Sequence, residues 1–213
     1  MDKNQILFLL GGLRWTLALS AIGFVVGSVA GLGVALARTS GWRWLERSMA
    51  AYIALFQGTP LLMQLFVVYY GLALAGLKLD PWASVSIGFT LHAGAFLGEI
   101  WRGSIEAVPR GQVEAAKALS LNYVDRMRDV VLPQAIRISL PATIGFLVQL
   151  IKGTSLAAII GFTELMRAGT IVSNQNFKPL LVLGLVCALY FALCWPLSLY
   201  GAWLERRLVT AAR

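Results

Sequence analysis

Few side chains of this sequence could take part in catalysis or bind an ion, and they are scattered through apolar segments. The single histidine is His92, and two acids at the edges of apolar segments, Glu99 and Glu164, lie at opposite ends of those segments. An enzyme site requires a nucleophile beside a base, two neighbouring carboxylates or a metal-binding cluster. None of these patterns is present, so we predict that the chain is not an enzyme and holds no metal or other cofactor of its own.

Lys152 lies about halfway along a predicted membrane span, and Thr154 and Ser155 follow it closely. A lysine in the middle of a span costs about 2.5–3.5 kcal/mol on insertion scales, so its surroundings must compensate. One interpretation is that Lys152, Thr154 and Ser155 line a water-filled path and contact a substrate or hold a gate. The other is that Gly153 permits a local helix break, at which Lys152 binds backbone carbonyls or a structural partner.

Gln64 and His92 are the remaining polar groups inside apolar segments. Gln64 follows Gly58, Thr59 and Pro60, a sequence that interrupts a helix, so backbone groups freed there could meet a ligand. His92 lies in the middle of the next apolar segment. It is interpreted either as a hydrogen-bonding group between helices or as a ligand contact exposed to the same path.

Glu99 could pair with Lys152 or with a cation nearer in sequence. Helix geometry argues against the first pairing, because Lys152 lies about 22 Å from the inner end of its span whereas Glu99 lies near the inner end of another. We therefore expect Glu99 to contact Arg102, one helical turn away, or the loop 38–47.

The elements that would position these residues are membrane-spanning helices. Hydrophobic residues make up 58% of the 213 residues and charged residues 13%, against roughly 25% charged residues in soluble proteins. The mean hydropathy is +0.74. A bilayer is crossed by about 20 apolar residues, and the uncharged stretches predict spans near 15–37, 55–76, 82–103, 139–161 and 180–204. The predicted fold is an all-α membrane protein with five transmembrane helices, and residues 1–213 form one domain.

The distribution of lysine and arginine predicts the orientation of these spans, because cationic loops favour the cytoplasmic side. Twelve cationic residues, Arg213 among them, fall on one side and five on the other, with Lys152 left out. This bias places the N-terminus outside and the C-terminus in the cytoplasm. It also accounts for the net charge of +8 without nucleic-acid binding. Residues 2–13 are interpreted as an interfacial segment ahead of an uncleaved first span.

The loop 104–137 is the long polar segment of the chain, and the charge bias places it in the cytoplasm. A first helix is predicted over 112–119. Asn122 is predicted to cap a second helix, with Asp125 at its third position, and Pro133 to end that helix. Two short helices at an angle form a docking knob for a partner; the alternative is a plain amphipathic connector.

The order of residues in this loop resembles the EAA motif of ABC importer permeases, E-A-A-x3-G-x9-I-x-L-P. The matching residues are Glu114, Ala115, Ala116, Ser120, Val130, Leu132 and Pro133, at the spacing of the motif. Ser120 replaces the glycine and Val130 the isoleucine. The serine at position 120 makes a special backbone angle at the bend less favourable, because serine disfavours the positive φ that a glycine adopts easily.

Further segments resemble the polar amino-acid uptake family of permeases, in the same order and over residues of about 13–205. They are Gln57-Gly58-Thr59-Pro60-Leu61-Leu62, Gly98-Glu99-Ile100 with Arg102-Gly103, Lys152-Gly153-Thr154-Ser155-Leu156, and Ile160-Gly161-Phe162-Thr163-Glu164-Leu165. Taken together, these blocks make the whole chain resemble the transmembrane permease subunit of a type I ABC importer.

The resemblance implies a multi-pass permease of the bacterial inner membrane, surrounded by lipid, that moves a polar or charged amino acid or a related compound. It implies a second permease subunit, identical or paralogous, and an extracytoplasmic binding protein that delivers the substrate. It also implies two cytoplasmic ATPase subunits that bind ATP and Mg²⁺. This chain itself has no G-x-x-x-x-G-K-[ST] loop, so in an importer the ATP would be hydrolysed by those partners. The alternative function is a passive channel or a scaffold subunit with no ATPase partner.

The candidate site residues divide into three sets. The resemblance assigns coupling to the ATPase to Glu114, Ala115, Ala116, Ser120, Leu132 and Pro133, with the first three lying in the ATPase groove. The substrate path is predicted to include Gln64, His92, Lys152, Thr154 and Ser155. Structural or gating roles are predicted for Gly58, Thr59, Pro60, Glu99, Arg102 and Glu164.

Overall fold

The computed structural model describes the backbone of residues 1–211 and the side chains of residues 1–208, so Arg213 lies outside the described residues. Within them the chain forms helices and no strand. The elements are α1 Lys3–Arg38, α2 Arg43–Gln57, α3 Leu61–Leu74, α4 Pro81–Glu106, α5 Arg110–Ala118, α6 Tyr123–Ala158, α7 Leu165–Asn176 and α8 Pro179–Ala211. The α6 element contains a π-helical turn, an α-helix and a final 3₁₀ turn.

The prediction of an all-α fold with five spans is confirmed. α1, α4, α6 and α8 are each long and apolar enough to cross a membrane, and α2 with α3 forms a fifth span that bends by 105°. α1 and α4 run in the same direction, since Gly23 lies beside Phe89 and Gly31 beside Gly98. The chain must therefore return across the membrane between them, and the α2–α3 pair provides that return.

The closest packing in the fold joins α1 to α4 along a seam of glycines. Gly23, Gly27 and Gly31 recur every four residues and place one narrow face of α1 against α4. Small residues let helix backbones approach closely in a membrane, where van der Waals contact replaces the hydrophobic effect as the cause of association. A methyl group on Gly27 would overlap the Cβ atom of Ala93. This seam therefore fixes the distance between the two helices.

Two apolar clusters attach the other spans to the α1–α4 pair. The larger cluster joins α1, α3, α4 and α6 through buried residues that include Leu19, Leu65, Phe89, Phe146 and Leu150. The second cluster holds α7 between the start of α1 and the start of α8, through Leu9, Leu165, Val172, Val182 and Val186. α6 and α8 run in opposite directions, and Gly201 of α8 packs against Ile144 of α6.

Residues 2–13, interpreted from the sequence as an interfacial segment, are not separate from the first span. These residues continue into the first span without a break, as one helix from Lys3 to Arg38. Leu9 and Gly12 are buried against α7, where Gly12 meets Leu165 and Ala168. Tertiary contact with α7 therefore extends the helix beyond the length that a bilayer requires.

The predicted limits of the second span, 55–76, are also wrong. Gly58, Thr59 and Pro60 separate α2 from α3 rather than opening a continuous span. Pro60 has no N–H to donate and its ring obstructs the preceding turn, so the helix stops and restarts in a new direction. The 105° bend follows from this interruption.

Pro133 does not end the second helix of the loop, contrary to the prediction. The helix runs on from Tyr123 through Pro133 into the fourth span. A π-helical turn over Arg126–Val131 comes directly before the proline and widens the backbone where its ring needs room. The Gln134 side chain donates to the Val130 carbonyl at 2.8 Å, which satisfies an acceptor near the irregular turn.

The helix break considered at Gly153 is present in a mild form. The α-helical part of α6 ends at Gly153, and the chain continues as a 3₁₀ turn over Thr154–Ala158. It then turns at Gly161, where φ is +93°, before α7 begins. The fourth span therefore becomes irregular directly after Lys152.

We predict that Gly27→Ala destabilises the fold, whereas Gly33→Ala does not. The added methyl of Gly27→Ala forces α1 away from α4, and overpacking of this kind costs about 1–3 kcal/mol. Gly33 is the matched control, because a Cβ there meets nothing within 4 Å. Thermal unfolding of the detergent-solubilised proteins measures the difference. Equal unfolding temperatures for the two variants would show that the seam does not limit helix approach.

Candidate translocation path and coupling loop

The bend between α5 and α6 has a backbone conformation that glycine adopts readily. Ser120 has φ +58°, in the left-handed region. Its N–H donates to the Lys117 carbonyl at 2.9 Å and the Leu121 N–H donates to the Ala116 carbonyl at 3.1 Å. This is the pair of bonds that closes a helix in the Schellman arrangement. Replacement of glycine by serine has therefore not removed the bend.

The start of α6 is capped as predicted. The Asp125 N–H donates to the Asn122 side-chain oxygen at 3.0 Å. Beneath the bend, a small apolar cluster of Val108, Met127, Val131 and Ala135 attaches the loop to the ends of the spans. The loop is therefore a folded unit with its own small core.

Burial separates the EAA residues into two groups. Glu114 and Ala115 are exposed, whereas Ala116 is only 3% exposed and packs against its own chain. Ala116 thus supports α5 from behind, which differs from the expectation that it lies in a partner's groove. Two large apolar side chains that the motif does not include, Leu119 and Val124, are 76% and 67% exposed next to the bend.

The interruption between α2 and α3 is closed by two side chains, Gln64 and Thr59, and the Thr59 hydroxyl donates to the Leu55 carbonyl at 2.7 Å. Gln64 is buried, and its Nε2 donates to the Phe56 carbonyl at 2.7 Å and to the Thr59 carbonyl at 3.0 Å. Because the amide nitrogen faces these carbonyls, Oε1 faces His92, whose Nδ1 donates to it over 2.9 Å. The carbonyls freed at the bend are therefore met by Gln64 and Thr59. His92 of α4 thus forms a hydrogen bond to Gln64 of α3, in agreement with its interpretation as a hydrogen-bonding group between helices.

A cavity of about 240 Å³ adjoins this bend, and its wall is almost wholly apolar. Gln64 and Thr59 are its polar residues; the others are Leu55, Phe56, Met63, Val67, Val68 and Leu91. The His92 ring lies outside that lining and packs beside Phe96, at 4.4 Å between ring centroids.

Lys152 faces α8 and is exposed, and within the described residues its ammonium has no hydrogen-bond or ion-pair partner. It lies between two neighbouring cavities. The Glu205 cavity, of about 580 Å³, also includes Gln149, Ser198 and Glu205. The Tyr190 cavity, of about 330 Å³, includes Tyr190, Cys194, Trp195 and Ser198.

The two residues predicted beside Lys152 have other surroundings. Thr154 is fully buried and donates to the Ile151 carbonyl at 2.7 Å. Ser155 lines a fourth cavity, of about 560 Å³, together with Arg167 and Thr170 of α7. Gln64, Lys152 and Ser155 therefore line separate cavities among those bounded by the described residues.

The two irregular positions of the spans nevertheless meet. A Cβ on Gly153 would lie 3.1 Å from the Leu61 side chain, at the first residue of α3. The break in the second span thus touches the change from α-helix to 3₁₀ turn in the fourth. Interrupted helices that meet within the membrane form the ion and substrate sites of other transporters.

Glu99 pairs with Arg102, as expected, and not with Lys152. The Arg102 guanidinium contacts Glu99 at 2.5 Å and Glu106 at 2.5 Å, so one cation lies between two carboxylates. All three residues lie on the last turns of α4. Arg38, whose side chain donates to the Glu46 carbonyl at 3.1 Å, adds positive charge near Glu99.

Glu164 has a buried network that sequence reasoning did not find. Its carboxylate accepts from the Met166 and Arg167 N–H groups at 2.9 Å each and from the Tyr190 hydroxyl at 2.7 Å. Thr16 of α1 donates to the same carboxylate at 3.3 Å and accepts from the Leu165 N–H at 3.1 Å. The only signal in the sequence was the motif resemblance at Glu164. Nothing there indicated Thr16 or Tyr190.

Among the described residues, no group of three or more His, Cys, Asp or Glu side chains could hold a metal ion. Residues 23–210 match the family described as "Binding-protein-dependent transport system inner membrane component". The chain belongs to this family. It is therefore a multi-pass permease subunit of an inner-membrane ABC transporter, and permease subunits are the part of these importers that does not hydrolyse ATP.

Curated relatives are similar over almost the whole permease. The L-cystine transport system permease protein TcyB of Bacillus subtilis is 38% identical over 93% of this chain and 85% of its own. The arginine transport system permease protein ArtQ of the same organism is 34% identical over 96% of this chain and 94% of its own. The octopine transport system permease protein OccM of Rhizobium radiobacter is 32% identical over 93% of this chain and 87% of its own.

Solved structures confirm the type I importer permease fold. A chain from "Crystal structure of an amino acid ABC transporter with histidines" superimposes with a TM-score of 0.88 at 29% identity, over 97% of this chain and 99% of that one. A chain of the MetNI methionine ABC transporter, in an inward-facing crystal form, has a TM-score of 0.79 over both whole chains. Its identity of 21% makes it a likeness of fold alone.

We predict that Gln64→Leu destabilises the permease at the bend. Leucine fills a similar volume but donates no hydrogen bond, and each buried carbonyl that loses its donor costs about 1–3 kcal/mol. Met63→Leu, at the exposed neighbouring position, is the control. Thermal unfolding in detergent measures the loss. If Gln64→Leu unfolds like Met63→Leu yet abolishes uptake, Gln64 serves the substrate path and not the bend.

Proposed function

We propose that this permease carries a polar or charged amino acid, or a related compound such as an opine, into a bacterial cell. Support comes from relatives whose names specify transport of cystine, arginine and octopine. It comes above all from the α5–α6 loop, an EAA segment folded as a projecting knob with Glu114 exposed on it. A passive channel or scaffold subunit would have no use for such a knob, and nothing in the chain favours that alternative.

The proposed partners are a second permease subunit, identical or paralogous, two ATPase subunits with bound ATP and Mg²⁺, and an extracytoplasmic binding protein. The proposed orientation has the N-terminus outside and loop 104–137 in the cytoplasm, in keeping with the bias of cationic residues. Residues 1–213 act as a single permease domain. The ATPase would contact Glu114 and Ala115 directly, while Ala116, Ser120, Leu132 and Pro133 maintain the shape of the loop.

The proposed substrate path runs along the face of α6 that carries Lys152. An ammonium with no partner is unfavourable in lipid, so water or an anionic group must reach it. Substrates of the named relatives share a carboxylate, the group best suited to neutralise this cation. Gln64, His92, Thr154 and Ser155 are proposed to maintain the irregular backbone next to the path. Glu164 holds α7, and the Glu99–Arg102 pair stabilises the end of α4.

We predict that Glu114→Lys abolishes substrate-stimulated ATP hydrolysis without preventing membrane insertion. The substitution reverses the charge on the exposed face of α5 and changes no apolar span, so only docking should suffer. Asp129→Lys is the matched control, because Asp129 is also an exposed acid of the loop. The measurement is ATPase activity of the complex in proteoliposomes, with and without loaded binding protein. Normal stimulation in Glu114→Lys would contradict the coupling role of the loop.

We predict that Lys152→Met inserts at least as well as the wild type but loses uptake by about tenfold or more. Methionine removes the membrane cost of the charge, and a hydrogen bond to a charged group contributes about 1.5–3 kcal/mol. Gln149→Met, one turn earlier in the Glu205 cavity, is the control. Uptake of labelled amino acid by proteoliposomes is the measurement. Uptake by Lys152→Met equal to that of the wild type would refute the proposed path and leave the coupling loop unaffected.

A further inference from the structure

The N-terminus of α7 is held by its own N-cap residue, Glu164, and by the Thr16 side chain of the distant helix α1. The first four N–H groups of a helix have no partner within it and need others. In α7 Thr16 accepts from the Leu165 N–H, and the Glu164 carboxylate accepts from the Met166 and Arg167 N–H groups. The Glu164 N–H donates to the Phe162 carbonyl at 3.2 Å. Every donor of this turn is satisfied, and the carboxylate that satisfies two of them is fully buried.

A charged carboxylate in this position depends on the donors around it. Within the described residues Glu164 has no ion-pair partner, so its charge is stabilised by the two N–H groups and the hydroxyls of Thr16 and Tyr190. Hydrogen bonds to a buried charge are the strong ones, and losing one donor leaves part of that charge unsatisfied. The Tyr190 bond, at 2.7 Å, is the shortest of the four.

Tyr190 is the member of this network that also reaches the α6–α8 face. Its ring lines the Tyr190 cavity together with Lys152, while its hydroxyl donates to Glu164. The same hydroxyl lies 3.5 Å from Thr154 Oγ1, at the start of the 3₁₀ turn that follows Lys152. Because the phenol ring is rigid, any displacement of the ring within the cavity also displaces the hydroxyl.

We propose that Tyr190 is a positioning residue that links the Tyr190 cavity to α7. When a substrate, or a movement of α6 against α8, displaces the Tyr190 ring, its hydroxyl leaves Glu164 and the first turn of α7 loosens. When the cavity returns to the state described here, the hydrogen bond forms again and α7 is held against α1. This link rests on the proposed function, since it takes the cavity beside Lys152 as part of the substrate path.

The test measures hydrogen–deuterium exchange of the α7 amides at residues 165–168 in the complete transporter in nanodiscs. Exchange is compared at rest and during turnover with ATP and loaded binding protein. The wild type should exchange faster during turnover. Tyr190→Phe lacks the hydroxyl, so exchange at rest should rise about tenfold, as expected for the loss of a bond to a charged group, and the difference between the two states should disappear.

Thr16→Val separates this link from a purely structural role. Thr16 belongs to the same network but does not line the Tyr190 cavity. Its loss should raise exchange in both states while the turnover-dependent difference remains. If Tyr190→Phe does not assemble, Glu164→Gln is the second variant. Its neutral amide oxygen accepts the Tyr190 hydroxyl more weakly than a carboxylate does, so the turnover-dependent difference should shrink.

Failure of the link and failure of the proposed path have different signatures. A Tyr190→Phe transporter whose α7 responds to turnover as the wild type does would overturn the link, whatever Lys152→Met does. The link would also be overturned if Thr16→Val lost the turnover-dependent difference, because any weakening of the first turn of α7 would then have the same effect. Suppose that Lys152→Met takes up substrate normally and that α7 exchange in Tyr190→Phe does not change during turnover. These results together would refute the path and leave the link standing.

Discussion

In a bilayer, a backbone N–H or carbonyl that loses its helical partner must find another inside the protein, because lipid offers none. This constraint explains each place where the permease interrupts a helix. At the α2–α3 bend, Gln64 donates to the Phe56 and Thr59 carbonyls, and the Thr59 hydroxyl donates to the Leu55 carbonyl. At the start of α7, Glu164 and Thr16 accept from the first N–H groups. An irregular span is possible only where such a side chain is available.

The candidate functional residues gather around these interruptions. Lys152 precedes the change from α-helix to 3₁₀ turn in α6, and that change touches the first residue of α3 through Gly153 and Leu61. A regular helix offers no free backbone group to a substrate, whereas an interrupted one can move as two parts. The rigid α1–α4 seam provides the fixed frame against which such parts can move.

At the bend between α5 and α6, backbone groups and packing in the same way maintain an irregular conformation. Ser120 takes the left-handed conformation that a glycine would adopt more easily. The two hydrogen bonds that close α5, together with the apolar cluster around Met127, hold the loop in this shape. A residue with the wrong intrinsic preference is thus accommodated because its surroundings determine its backbone.

The amino-acid sequence by itself determined the features that depend on composition or on neighbours within a helical turn. The number of spans followed from the spacing of charges, and the Glu99–Arg102 pair and the Asn122 cap followed from separations of three residues. Tertiary structure decided the rest, because contacts over long separations leave no periodic signal. Thr16 and Glu164 are 148 positions apart, and Gln5 and Asn176 are 171 apart. Such contacts extended α1 beyond its span, buried Ala116 and Thr154, and directed Lys152 alone toward α8.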